Sequence, residues 1–136
     1  MFIADTSALI SLIIETDTNH SQAIQIASTY TNETNTILIP EDIFSELVNI
    51  IGKKFGHNKA YIAASYILTN KHFLIESITE KVRFSGLEKF KKQVESVSFT
   101  DCIVMAVADH FETKEIFGFD EAFHKNGYAR IGLDKK

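Results

Sequence analysis

Cysteine and proline are scarce in this chain of 136 residues, tryptophan is absent, and there is no excess of positive charge. One proline and six glycines argue against a long linker, so we expect a single domain over residues 1–136. The lone cysteine, Cys102, cannot form an internal disulfide, which favours a reducing, cytoplasmic location. No apolar run approaches the length of a membrane span, so no membrane partner is expected.

The sequence does contain enough apolar material for a core. Hydrophobic residues make up 45% of the chain and charged residues 24%, as is usual for a globular protein. A domain of this length buries about two-thirds of its unfolded surface. The net charge of −4 does not by itself indicate a nucleic-acid-binding protein. A function that involves nucleic acid therefore has to be argued from particular residues.

Short apolar runs alternate with stretches that carry apolar residues at helical spacing. Strands are predicted at residues 2–4, 36–40, 73–78, 115–120 and 128–133. Helices are predicted directly after Asp5, at residues 20–30, 41–53 and 58–68, and from Ser98 through Ala108, with a turn at residues 31–35. Residues 79–94 predict two helical pieces with Gly86 between them. The alternation predicts a three-layer α/β/α sandwich around a parallel sheet of four to five strands.

The stretch FIADTS at residues 2–7 places an acid where the first strand gives way to a helix. Thr6 or Ser7 is predicted as the N-cap of that helix. In a parallel α/β sheet, ligands bind beyond the carboxyl ends of the strands, which is where Asp5 would lie. The alternative is that Asp5 only caps the helix. Its role therefore depends on acids elsewhere in the chain.

Three more acids occupy comparable positions in the predicted fold. Asp120 ends the fourth strand, and Glu46 lies among apolar residues of the third helix. Asp101 begins the buried helix, just after a cap at Ser98 or Thr100. Each has a simpler explanation, namely a turn acid for Asp120, a favourable helix-dipole contact for Asp101 and a solvated helix edge for Glu46.

Parallel topology would bring these acids to one edge of the sheet, where their charges must be balanced. Two carboxylates ~4 Å apart repel by about 4 kcal/mol at an effective dielectric constant of about 20. Oxygen ligands favour Mg²⁺ or Mn²⁺, and no Cys/His spacing in the sequence indicates zinc. The four carboxylates are thus a candidate metal site of the kind used in phosphoryl chemistry.

Four short motifs, in this order, resemble those of the PIN domain nucleases. They are DTSALI at residues 5–10, ELVN at 46–49, SFTDCI at 98–103 and GFDEAF at 118–123, followed by Gly127 and Tyr128. The resemblance spans essentially the whole chain and is greatest to the small VapC-type toxins of toxin–antitoxin pairs. Many members have Thr-Phe-Asp at the last motif, where this chain has Gly118 in place of the threonine.

The resemblance implies an endoribonuclease that hydrolyses RNA phosphodiester bonds with Mg²⁺ or Mn²⁺. The implied catalytic and metal-binding residues are Asp5, Glu46, Asp101 and Asp120. The hydroxyls of Ser7 and Thr100 are implied to hydrogen-bond to this site. Besides RNA, the implied partners are a small antitoxin protein and a second copy of the chain in a homodimer.

Several side chains outside the motifs could contact the substrate. His124 follows Asp120 by one helical turn and could touch the substrate, with a solvated surface position as the alternative. Two groups of lysines could contact an RNA backbone, and exposed helix faces explain them equally well: Lys53, Lys54 and Lys59, and Lys89, Lys91 and Lys92. Asp109, at the end of the buried helix, is expected to face solvent. Cys102 is expected to face the core.

Other functions were weighed against the nuclease. A phosphoacceptor receiver domain is also a small parallel sheet with acids at its strand ends. That fold requires an acid pair after the first strand and a central acceptor Asp, but here Asp5 stands alone and no acid ends the strand at residues 36–40. A housekeeping RNA-processing nuclease, or a PIN-like domain that binds RNA or a partner without cleaving it, remain alternatives.

Overall fold

A computed structural model describes residues 1–31 and 35–134, and the turn predicted at residues 31–35 lies mostly outside them. The described strands are β1 (Phe2–Ala4), β2 (Ile37–Pro40), β3 (Phe73–Glu76), β4 (Glu115–Phe117) and β5 (Ala129–Arg130). The described helices are α1 (Thr6–Ile13), α2 (His20–Tyr30), α3 (Glu41–Phe55), α4 (His57–Thr69), α5 (Glu80–Lys91), α6 (Phe99–His110) and α7 (Glu121–Lys125). The predicted α/β class is confirmed.

All five strands are parallel, and their order in the sheet is β3-β2-β1-β4-β5. The chain moves outward from β1 to β3 and then returns to the other side of β1 as β4. The strand order therefore reverses between β1 and β4, which is the position where open α/β sheets bind ligands. Asp5 directly follows β1, and Asp120 follows β4 after two intervening residues.

Helices cover both faces of this sheet. Crossovers between parallel strands are right-handed, so the change of direction after β3 places α1–α4 on one face and α5–α7 on the other. A sheet covered on both faces buries consecutive residues of a strand, and all residues of β1 and β2 are buried. From Cys102 through Ala108, α6 is buried on every side, as its apolar sequence predicts.

Some predicted elements have different limits in the structure. Residues 79–94 do not form two helical pieces, because α5 is one helix that passes through Gly86. A Cβ at Gly86 would lie 2.8 Å from the Ile103 side chain, so this glycine permits close packing of α5 on α6 rather than breaking the helix. The short helix α7 was not predicted, and β5 is only two residues long. No helix within the described residues is both long and apolar enough to cross a bilayer.

Candidate active site

Asp5 lies at the junction of β1 and α1 with its side chain almost fully buried. Its backbone N–H donates to the Phe117 carbonyl at 2.9 Å, which extends the pairing of β1 with β4 by one residue. Only 5% of the residue is exposed. The prediction that Thr6 or Ser7 caps α1 is wrong, because Asp5 itself occupies the N-cap position. Its carboxylate makes no capping hydrogen bond, so a structural cap does not explain this acid.

The electrostatic surroundings of Asp5 oppose its ionisation. Burial raises the pKa of Asp5 to about 7, and the negative charges of Asp101 and Glu46 add to this effect. The Ser7 hydroxyl, which donates to Asp5 Oδ2 at 2.8 Å, acts in the other direction by stabilising the carboxylate. The site thus holds a carboxyl group that is only partly ionised near neutral pH unless a cation is supplied.

Asp101 belongs to a capping box at the start of α6. The Ser98 hydroxyl accepts from the Asp101 N–H at 3.1 Å, and Asp101 Oδ2 accepts from the Ser98 N–H at 3.0 Å. Of the two predicted caps, Ser98 is therefore the N-cap, and the Thr100 hydroxyl lies 3.0 Å from the Ser98 hydroxyl. Burial raises the pKa of Asp101, as do the charges of Asp120 and Glu46. Asp101 thus combines a structural role with a place among the other acids.

Glu46 reaches the same region from α3. It is half-buried and lines a cleft of about 570 Å³ together with Glu41, Asp42 and Lys53. Asp42 is neutralised by Arg83, whose two guanidinium N–H groups donate to it at 2.9 and 3.1 Å. Glu46 makes no ion pair within the described residues. It acts on both Asp5 and Asp101, so it is a member of the acid cluster rather than a solvated helix edge.

The four predicted acids form one electrostatically connected group, which the charge of Arg130 reaches at Asp120. In residues 1–31 and 35–134, none of the four takes part in an ion pair. Within the same ranges, no three His, Cys, Asp or Glu side chains form a ready-made metal cage. The caps engage one oxygen each of Asp101 and Asp120 and leave the other oxygen free. Carboxylate oxygens are donors that fit Mg²⁺ or Mn²⁺.

Comparison with known proteins identifies the fold and the family. A family model described as PIN domain matches residues 2–127. This chain belongs to the PIN domain family. No curated protein matches it. Among solved structures, it is similar to a Mycobacterium tuberculosis protein, VapC20, described as a sarcin-ricin loop cleaving toxin. The two share 20% sequence identity and a TM-score of 0.85, over 96% of this chain and 98% of that one.

In this PIN domain, an arginine that sequence reasoning missed fixes the loop in front of Asp120. Arg130, in β5, donates from Nη1 to the Phe119 carbonyl at 2.9 Å. Its Nε and Nη2 donate to the two carboxylate oxygens of Asp134 at 3.0 and 2.9 Å. This pairing with Arg130 lowers the pKa of Asp134 to about 2. Asp120 then caps α7 by accepting from the Ala122 N–H at 2.9 Å, so both sides of Asp120 are anchored.

Gly118 departs from the commoner threonine of the PIN domain motif, and the structure gives a steric reason. A Cβ at this position would lie 2.8 Å from Phe123 Cε2 and 3.2 Å from Asp5 Cβ. Phe123 is fully buried, so its ring occupies the space that a larger residue at position 118 would need. The glycine thus allows Phe123 and the Asp5 backbone to pack closely beside the site.

The predicted substrate-contact residues lie in different places. Lys53 lines the cleft that contains Glu46, whereas Lys54 is exposed on the same helix. His124 lies with Nδ1 3.5 Å from Asp134 Oδ2, in a depression that none of the four acids lines. Asp109 is exposed as predicted, yet it is not merely solvated. It accepts from the Tyr128 hydroxyl at 2.7 Å and pairs with Lys89 at 2.6 Å.

Proposed function

We propose that this protein is a metal-dependent endoribonuclease whose active site is formed by the carboxylates of Asp5, Glu46, Asp101 and Asp120. The observation that carries the proposal is the state of Asp5. Its carboxyl group is buried at the point where the strand order reverses, within electrostatic reach of Asp101 and Glu46. No described cation offsets these charges, and a bound divalent ion would.

The residues would divide the work as follows. Asp5, Glu46 and Asp101 would hold Mg²⁺ or Mn²⁺, and Asp120 would complete this site or a second, weaker one. When bound, the ion would lower the pKa of water and offset charge on the scissile phosphate. Asp101 Oδ1 and Asp120 Oδ2 are free of the capping bonds, so each residue can offer an oxygen while keeping its cap. Hydrolysis by in-line attack would leave a 5′-phosphate and a 3′-hydroxyl.

Ser7 would keep Asp5 in the orientation that the site requires. Its hydroxyl already donates to Asp5 Oδ2, which leaves Oδ1 directed to other partners. Because Ser7 is exposed in the first turn of α1, it can hold this bond without burying a further polar group. Thr100 would act more indirectly, through its contact with the Ser98 hydroxyl that caps α6.

The toxin of a type II toxin–antitoxin pair is the cellular role that we favour. The support is the similarity to VapC20 over nearly the full length of both chains, together with the family to which this chain belongs. On this proposal the protein acts in the cytoplasm on RNA, forms a homodimer and is held inactive by a small antitoxin protein. A housekeeping RNA-processing nuclease would use the same chemistry. A non-cleaving PIN-like domain would bind RNA or a partner through the same surface without hydrolysing a bond.

The chemistry is tested by incubating purified protein with cellular RNA and Mg²⁺ or Mn²⁺, with and without a chelator. We expect cleavage that the chelator stops and that Asp5→Asn, Glu46→Gln and Asp101→Asn each abolish. Effects of paired substitutions should not add, because loss of one ligand disables the same site. Glu95→Gln, which removes an exposed carboxylate in the turn between α5 and α6, is the matched control. Full activity in Asp5→Asn would refute the assignment.

The toxin role needs a separate experiment in cells. Expression of the wild-type chain alone should slow growth by blocking translation, and co-expression of the protein from an adjoining small reading frame should restore it. Expression of Asp101→Asn at the same level is the control for burden. Unaffected growth, with strong cleavage by the purified protein, would favour the housekeeping nuclease.

A further inference from the structure

A second cleft meets the acid cluster at Asp120 and does not include Glu46. It lies between α5 and α7, has a volume of about 710 Å³, and includes Asp120 in its lining. Lys92 and Lys125 line it as well, one from each wall. We call this cleft the α5–α7 groove. Its size is in the range of natural ligand pockets, and its contact with Asp120 connects it directly to the proposed active site.

The charges of the two clefts differ in a way that matters for a polyanion. The cleft beside Glu46 has three carboxylates and one lysine in its lining. The α5–α7 groove has three lysines and three carboxylates, one of which is the proposed metal ligand Asp120. Lys89 is committed to Asp109 at 2.6 Å, but Lys92 has no ion-pair partner among the described residues. With Lys89 set aside, the groove offers two lysines to phosphates, one on each wall, whereas the cleft beside Glu46 offers one.

Lys125 is available for a phosphate despite its neighbour. Its Nζ lies 3.9 Å from Glu121 Oε2, and both side chains are more than 70% exposed, at 73% and 72%. An exposed pair at that separation is weak, so a phosphate oxygen can replace the Glu121 carboxylate as the partner of Lys125.

Two amide side chains join the walls of the groove. Gln93 Nε2 donates to Asn126 Oδ1 at 2.9 Å, and Asn126 Nδ2 donates to Gln93 Oε1 at 3.1 Å. This reciprocal pair fixes the end of α5 relative to the end of α7 and so maintains the spacing between Lys92 and Lys125. The groove is held open by specific bonds rather than by a chance gap between helices.

We infer that the α5–α7 groove binds the ribonucleotides on one side of the cleaved bond, with Lys92 and Lys125 contacting their phosphates. This rests on the proposed function, since it extends the path of the RNA away from Asp120. Neither lysine contacts the reacting atoms in this scheme. They bind and position the strand, so their loss should weaken RNA binding and raise KM while leaving kcat largely unchanged.

The test measures binding of a labelled, single-stranded RNA of mixed sequence by fluorescence anisotropy in Mg²⁺, in a Glu46→Gln background that prevents cleavage. Lys92→Gln combined with Lys125→Gln should weaken binding on the order of tenfold near physiological salt. The slope of log K against log salt should fall by roughly 1.4, since each single-strand phosphate contact contributes about 0.7. Lys71→Gln combined with Lys81→Gln removes the same charge at exposed positions outside the groove and should have little effect on either quantity.

A third variant should change binding in the opposite direction. Glu121→Gln removes a negative charge from the groove wall and frees Lys125, so RNA binding should become tighter. Equal losses in the groove variant and its control would overturn the inference, because they would show only a response to net charge. Wild-type cleavage with an unaltered KM in the groove variant would also overturn it while leaving the nuclease proposal intact. RNA binding through the groove without any wild-type cleavage would refute the nuclease proposal instead.

Discussion

The raised pKa of Asp5 predicts by how much this buried carboxyl group lowers the free energy of unfolding. The carboxyl group shifts from its ordinary pKa of 3.8 to about 7 in the folded protein. Between these two values the unfolded chain is ionised at Asp5 while the folded protein keeps the proton, so unfolding releases a proton. The contribution of Asp5 to the free energy of unfolding therefore falls as pH rises through this interval and is constant above it. At about 1.36 kcal/mol per pKa unit, the full cost above pH ~7 is about 4 kcal/mol.

Replacing Asp5 with Asn removes that cost while keeping the shape of the side chain. The bond from Ser7 is weaker to an amide than to a carboxylate, so we expect a net gain of about 2–4 kcal/mol at pH ~8 without metal. For a domain of this length, that corresponds to a rise in Tm of roughly 10 °C. At pH ~4, Asp5 of the wild type is protonated in the folded state and about half ionised in the unfolded state, so the two proteins should differ by less than about 1 kcal/mol.

Metal should narrow the difference in stability between the two proteins. A divalent ion at a hundredfold excess over its Kd stabilises the wild type by about 2.7 kcal/mol through mass action. The Asn variant lacks one charged ligand and should gain much less. Because protons compete with the ion for Asp5, the stabilisation of the wild type should grow as pH rises through about 7.

The assay is a set of melting curves for both proteins from pH 4 to pH 8.5, in chelator and in excess Mg²⁺ or Mn²⁺. Asp42→Asn is the control, because Asp42 carries the same charge but pairs with Arg83 at the surface. The Asp42→Asn substitution should not raise the Tm at any pH. A wild type that melts at or above Asp5→Asn at high pH in chelator would refute the reasoning, as would equal metal shifts in the two proteins.

Three further substitutions test packing and hydrogen bonds next to the proposed active site. Gly118→Ala should cost about 1–3 kcal/mol in denaturant unfolding, because its Cβ would lie 2.8 Å from the buried Phe123 ring. Thr6→Val should stabilise by about 1 kcal/mol in the same assay, since the buried Thr6 hydroxyl has no hydrogen-bond partner among the described residues. Arg130→Lys keeps the charge but loses the planar fork that holds Phe119 and Asp134, so kcat for RNA cleavage should fall more than KM changes. An unchanged free energy of unfolding, or an unchanged kcat for Arg130→Lys, would contradict the role given to the corresponding residue.

Much of the fold can be predicted from local patterns in the sequence. The apolar runs that become β1 and β2 are short, uninterrupted and bounded by polar residues, as strands buried on both faces must be. Asp5, directly after β1, and Asp120, shortly after β4, are visible in the sequence because each interrupts an apolar pattern. Once the strands are parallel, the topology brings Asp5 and Asp120 to one edge without any information about side-chain contacts.

What the sequence could not provide is the direction in which each polar side chain turns. Asp101 follows Ser98 by three residues, which is the capping-box spacing with Asp in place of the usual Glu or Gln, and that bond orients its carboxylate. Arg130 gives no local signal, because its contact with Phe119 depends on β5 lying beside β4. The prediction of two helical pieces was wrong because a glycine within a helical pattern often marks a helix end. The close packing on Ile103 that explains Gly86 cannot be seen in the local sequence.

The start of α1 shows how the fold and the proposed function oppose each other. Asp5 is buried at a cost in stability, and the next residue, Thr6, buries a hydroxyl without a described partner. Two adjacent unfavourable groups at the centre of a well-packed sheet are difficult to explain as structural choices, because Asn and Val would serve the fold better at these positions. They are consistent with a site whose stability is completed by a ligand, so that the metal-free protein is the strained state. On the proposed function, a chain of net charge −4 could take RNA because a bound cation would offset the acids, and because the α5–α7 groove, which Asp120 lines, adds lysines.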